Sequence, residues 1–143
     1  MTLDAWIERE ARAHVRRPLQ VPIMEVRMNI YLAGPMRGIP EFNFPAFDRA
    51  AAQLEREGHL VFNPAAKDAG KYGTGISKDN PEGCEDVAAS QHGFSLREAL
   101  GADLAWICAH ADAIALLPGW RNSKGATAEH ATAIALGLEV IEL

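Results

Sequence analysis

The chain has 143 residues, of which 48% are apolar and 23% charged, with a formal net charge of -5. That is the size and balance of one soluble domain able to bury its own core. The acidic balance excludes a basic field for wrapping a nucleic-acid polymer, and no apolar run approaches the ~20 residues of a membrane span, so the expected ligand is a small molecule. Asp4, Glu8 and Glu10 and the absence of an apolar stretch near the start do not fit a secretory or transit peptide, and a cytoplasmic location is expected. Cys84 and Cys108 form no paired-spacing motif and are read as free thiols in a reducing compartment.

Residues 3–16, "LDAWIEREARAHVR", place Leu3, Trp6, Ile7, Ala11 and Val15 on one face at helical spacing. This amphipathic helix and the proline-broken stretch after it form an N-terminal extension over residues 1–27, expected to dock on the body or on a second subunit. The core is expected over 28–143. "MNIYLAG" reads as a buried strand ending in glycine, and "NFPAFDRAAAQLEREG" as a helix with Phe44, Phe47, Ala51 and Leu54 inward and Gly58 as its stop. "HLVFNP" is a second strand closed by proline. Residues 65–94 are rich in Gly, Asp, Lys and Ser without clear periodicity, and read as a functional lid or a partly disordered loop. "SLREALGADLAWICAHA" is a helix opened by a Ser95/Glu98 capping box, followed by the buried strand "DAIALLPG". A helix over "SKGATAEHATAIALG" and a last strand, "LEVIEL", complete the chain. This alternation predicts a three-layer α/β sandwich, Rossmann-like, with a mostly parallel sheet.

In such a sheet ligands sit at the carboxyl ends of the strands, which directs attention to the loops after the first and third strands. In "YLAGPMRGIPEF", Gly34 and Gly38 permit close backbone approach and Arg37 offers a guanidinium fork for a phosphate; glycines at strand ends also simply make turns. In "GWRNSKGATAEH", Ser123, Gly125 and the first free amides of a helix form an anion site. Neither loop carries the P-loop or dinucleotide glycine pattern, so ATPase and dehydrogenase readings are set aside.

Glu129 lies about one and a half turns into the helix, among small residues that let it press on the sheet, where an idle carboxylate would be costly to bury. It is either a surface acid near a positive helix end, worth ~0.5 kcal/mol, or a carboxylate aimed at the ligand. Asp103 is either a second such carboxylate or a first-turn acid that complements the helix dipole. Tyr31 on the first strand points its hydroxyl into the same crevice or is a core aromatic, and Trp120 stacks on a base or packs over its loop. His130 points away from the pocket. Cys84, Glu85, Asp86 and His92 match no ligand spacing, so no metal is expected, and no cofactor either.

The ordered set "IYLAGPMRG", "DLAWICAHADAIALLPGW" and "SKGATAEHATAIALG" resembles the nucleoside 2-deoxyribosyltransferase superfamily, in particular its 2'-deoxynucleoside 5'-monophosphate N-hydrolases and the short members carried by phages and prophages. The resemblance covers most of residues 28–143 and implies a flavodoxin-like fold, a dimer or larger homo-oligomer, and cleavage of an N-glycosidic bond. It implies Glu129 as nucleophile, Asp103 as the group assisting protonation of the leaving base, and Tyr31 as the hydroxyl that holds Glu129. Phosphate and sugar contacts fall on Gly34, Met36, Arg37 and Gly38 and on Ser123 and Gly125. Ser123 stands where the transferases carry an aspartate, and the chain stops directly after its last strand; both features favour a monophosphate hydrolase over base exchange. The loop reads Gly34-Pro35 where the hydrolases tend to have a hydroxyl residue, which removes one phosphate contact and one amide donor. A non-catalytic nucleotide-sensing module is the reading from another functional class.

Overall fold

A computed structural model of the chain describes residues 2–5 and 26–143. Most of the expected N-terminal helix and linker therefore lies outside the described residues. The rest alternates strands and helices: β1 (Asn29–Ala33), α1 (Phe44–Arg56), β2 (Leu60–Phe62), α2 (Pro64–Tyr72), α3 (Gly75–Lys78), α4 (Glu85–His92), α5 (Leu96–His110), β3 (Ala113–Leu116), α6 (Lys124–Ala135) and β4 (Glu139–Glu142). Short 3₁₀ turns at Pro40–Asn43 and Trp120–Asn122 precede α1 and α6.

The four strands form one parallel sheet in the order β2-β1-β3-β4. The reason lies in the sequence of β1 and β3: "IYLA" and "AIAL" are apolar at every position and fully buried, as strands covered on both faces must be. Side-chain alternation sorts the core in two. Ile30 and Leu32 face α1 through Phe47, Ala51 and Leu54, while Tyr31 and Ala33 face Ile107 of α5 and Ala126 and Ala133 of α6. The result is a three-layer α/β sandwich of flavodoxin or Rossmann type. Among the described residues no helix is long and apolar enough to cross a membrane.

Strand order reverses direction between β1 and β3, since β1 leads outward to β2 and the chain then returns to place β3 on the other side. That gap, at the carboxyl ends, is the switch point where such sheets hold ligands.

The segment 65–94, expected as a functional lid or a partly disordered loop, is folded into helices. It holds the rest of α2 together with α3 and α4, joined by tight turns at Gly73 (φ 88°) and Gly83 (φ 63°). Asn63 accepts a hydrogen bond from the Ala65 amide at 3.0 Å and Pro64 opens α2, a standard helix start. Helices of nine, four and eight residues are too short to print a periodic apolar stripe. Gly83 is also fixed by close approach, because a Cβ there would lie 2.2 Å from the Ile39 carbonyl oxygen.

The loop after β1 is held in an uncommon shape. Glu41, Phe42 and Asn43 all have φ between 53° and 61°, a left-handed turn that costs non-glycine residues about 1–2 kcal/mol each. Burial of Phe42, the Glu41 amide on the Asn80 carbonyl (3.1 Å) and the Asn43 side chain on the Pro35 carbonyl (3.0 Å) hold it there.

Candidate active site

A pocket opens at the switch point, lined by Tyr31, Ala33, Gly34, Met36 and Arg37 from β1 and its loop, by Asp103 from α5, and by Ser123, Gly125 and Glu129 from α6. Of the residues expected from the sequence, only Gly38 is absent. Gly38 is exposed, with φ 77°, and its amide donates to the Gly83 carbonyl at 2.9 Å, so it shapes the loop and does not line the pocket. Gly34 does line the pocket, yet what requires glycine there is packing: a Cβ would meet Leu117 Cβ at 2.7 Å.

Glu129 is 8% exposed and faces the pocket from α6, which the small residues Ala126 and Ala133 let press on the sheet. Its Oε2 has no hydrogen-bond partner among the described residues. Burial raises the Glu129 pKa to about 8, partly offset by the Tyr31 hydroxyl and by Lys67, with the charges of Asp103 and Asp68 pushing the same way as burial. Glu129 is therefore a pocket carboxyl and not a surface acid.

Tyr31 is fully buried, stacked on Phe62 at 5.4 Å, and its hydroxyl finds no well-aligned partner among the described residues. It lies close enough to Glu129 and Asp103 to couple to both, and burial followed by those two negative charges pushes its own pKa well up. Asp103 corrects the first-turn expectation: it stands in the middle of α5, Leu96–His110, too far from the N-terminus to serve the dipole. It is 7% exposed and pairs with the Lys67 ammonium at 2.5 Å. Burial raises its pKa, opposed by Lys67 and by the Tyr31 hydroxyl.

Sequence reading missed Lys67 and Asp68, adjacent residues on α2. Asp68 is 5% exposed, lines the pocket, and has an Oδ1 without a hydrogen bond, 3.6 Å from the Lys67 ammonium. Burial raises its pKa to about 6. The signal that could have found this pair was Asn63-Pro64, a cap and first-turn proline marking a helix where a loop was expected.

At the mouth, Arg37 is tied to Glu85 of α4 at 2.9 Å. On the other side Ser123 accepts from the Ala126 amide at 3.1 Å as the cap of α6, its hydroxyl proton still free to donate. A Cβ on Gly125 would sit 3.7 Å from Glu129 Oε1 and 3.9 Å from Ser123 Oγ, so this glycine forms the floor over both. The wall beyond is apolar, with Phe42, Phe44, Phe47, Ile76 and Phe94 among its residues. Trp120 packs against His130 at 4.4 Å and under Arg121 at 4.5 Å and is not part of the pocket.

Fold and site define a flavodoxin-type α/β protein with a carboxylate-rich, largely apolar pocket at the switch point of its sheet. Residues 28–142 match the family described as "Domain of unknown function (DUF4406)", and the chain belongs to that family. No curated protein and no solved structure matches it.

Proposed function

We propose that the protein hydrolyses the N-glycosidic bond of deoxynucleoside 5'-monophosphates and releases the free base, with Glu129 as nucleophile. The observation that carries this reading is a buried glutamate with an unpartnered oxygen, facing a pocket at the switch point between a tyrosine hydroxyl and an aspartate. An unsatisfied buried carboxylate is costly to maintain, which favours a use for it when ligand is bound. In the proposed reaction Glu129 attacks C1' of the sugar, the base leaves, and water resolves the glycosyl ester. Tyr31 orients and polarises Glu129. The apolar wall takes the base, while Arg37, Ser123 and the open amides at the start of α6 take the phosphate.

The Arg37–Glu85 pair favours a second reading, in which the cation is already satisfied and the ligand is a nucleoside undergoing base exchange. Base release measured by chromatography over nucleosides and their monophosphates, with and without a second free base, separates the two. Loss of release in Glu129→Ala with ligand binding retained supports the glycosidase. A pocket that binds monophosphates while the wild type releases no base makes the protein a sensor and overturns the proposal.

A further inference from the structure

Two aspartates border the pocket beside the same lysine, and their surroundings differ. The Asp103 carboxylate takes the Lys67 ammonium at hydrogen-bond distance, and that ammonium also reaches the Ala99 carbonyl at 3.5 Å. Asp68 is 3.6 Å from the same nitrogen, too far for a hydrogen bond, and its Oδ1 is buried without a partner. Of the two aspartates, the one bonded directly to an ammonium is held ionised and in place, and the one left without a hydrogen bond takes up a proton more readily. We infer that Asp68, and not Asp103, is the proton donor to the leaving base, with Lys67 and Asp103 acting as the strut that positions it. This rests on the proposed N-glycosidase reading and names a catalytic residue that the sequence resemblance does not.

A Glu129 oxygen forms a bond to C1' as the C1'–N bond breaks, its electron pair passing to the base nitrogen. Asp68 gives its proton to the base and becomes a carboxylate. Water then adds to C1', its proton returns to Asp68, and Glu129 leaves as a carboxylate. The charged groups facing Asp68 are Lys67 and Lys71 on its own helix, Asp103 on α5 and Glu129 on α6; burial outweighs the two lysines and the group sits at about 6, so with Glu129 at about 8 the reactive form, Asp68 protonated and Glu129 ionised, is a minor share of the molecules near neutral pH.

The test uses a base that needs no proton. 7-Methylguanine leaves as a neutral base from its cationic nucleotide, so 2'-deoxyguanosine monophosphate and its 7-methyl form are compared in the wild type, Asp68→Asn and Asp103→Asn; if the wild type releases only pyrimidines, uracil and 5-fluorouracil nucleotides take their place. The expected result is a loss of roughly 10²–10⁴-fold in Asp68→Asn on the ordinary substrate with the activated one restored to within a fewfold of wild type, while Asp103→Asn loses both alike. Recovery on the activated substrate also shows that the variant is folded. Equal losses on both substrates in Asp68→Asn, no loss on either, or selective recovery in Asp103→Asn each overturn the assignment while leaving the glycosidase intact. No release by the wild type from any nucleotide overturns both.

Discussion

The Lys67 ammonium lies 2.5 Å from Asp103 Oδ1 and so ties α2 to α5 beside the pocket. The lysine side chain is a quarter exposed and the aspartate a tenth, which makes the pair half-sheltered. Replacing Lys67 with methionine keeps the stem over Phe62 but leaves a buried carboxylate unpaired, at a cost of ~2 kcal/mol once partial solvent access is allowed for. Without the ammonium, burial is opposed only by the Tyr31 hydroxyl and raises the Asp103 pKa further. The folded state then holds a proton that the unfolded state releases, so stability is kept below the unfolded value near 3.8 and lost as pH climbs through the folded one. Thermal melts of Lys67→Met against wild type should show a small difference at pH 4 and a large one at pH 8; a constant difference would exclude this account.

The layers of the fold were legible because β1 and β3 are apolar without interruption and α1 carries its apolar residues at helical spacing. The pocket was half legible. Spacing alone left Glu129, Asp103 and Tyr31 open and the motif resemblance singled them out, whereas Lys67 and Asp68 lie outside those motifs on a nine-residue helix with a mixed sequence. Gly34 and Gly38 look alike in the sequence, and only the tertiary neighbours tell them apart: Leu117 crowds the one, and the Gly83 carbonyl takes the amide of the other.

Glu129 makes the site expensive in a pH-dependent way. Its pKa rises from 4.5 to about 8, so the folded state retains a proton that the unfolded state has lost between those values. Stability from this group is present below 4.5 and falls as pH rises to about 8, by an amount on the order of 4 kcal/mol. Glu129→Gln keeps the shape and removes the ionisation. The variant should match wild type near pH 4.5 and unfold at a clearly higher denaturant concentration at pH 8. In the proposed reaction Glu129 must be ionised and Asp68 protonated, so kcat/KM on an ordinary nucleotide should peak between about 6 and about 8, whereas on a substrate whose base needs no proton it should keep rising toward about 8.

Glu85 competes for Arg37 with any phosphate that enters. Both are partly exposed, so the pair adds little to stability, within ~1 kcal/mol, but Glu85 must yield before the guanidinium can fork onto a phosphate. Glu85→Gln should lower KM for a monophosphate severalfold and leave KM for the corresponding nucleoside unchanged. Arg37→Ala should raise the first and spare the second. If neither variant distinguishes the two substrates, the phosphate does not sit at Arg37.

Two glycines in the pocket predict opposite outcomes for the same substitution. At Gly34 a methyl group would lie 2.7 Å from Leu117 Cβ, so alanine must push the end of β1 from the chain that leaves β3, costing about 1–3 kcal/mol. At Gly125 the nearest atoms are Glu129 Oε1 at 3.7 Å and Ser123 Oγ at 3.9 Å, ordinary contact distances, and alanine in the first turn of α6 is a better helix former than glycine. Gly125→Ala should leave the melting temperature unchanged or slightly raised. The added methyl nevertheless stands where a ligand must approach Glu129, so binding and turnover should both weaken. A Gly125→Ala protein that is stable and fully active would show that the ligand does not cross this part of the floor, and would move its path toward the Arg37 side of the mouth.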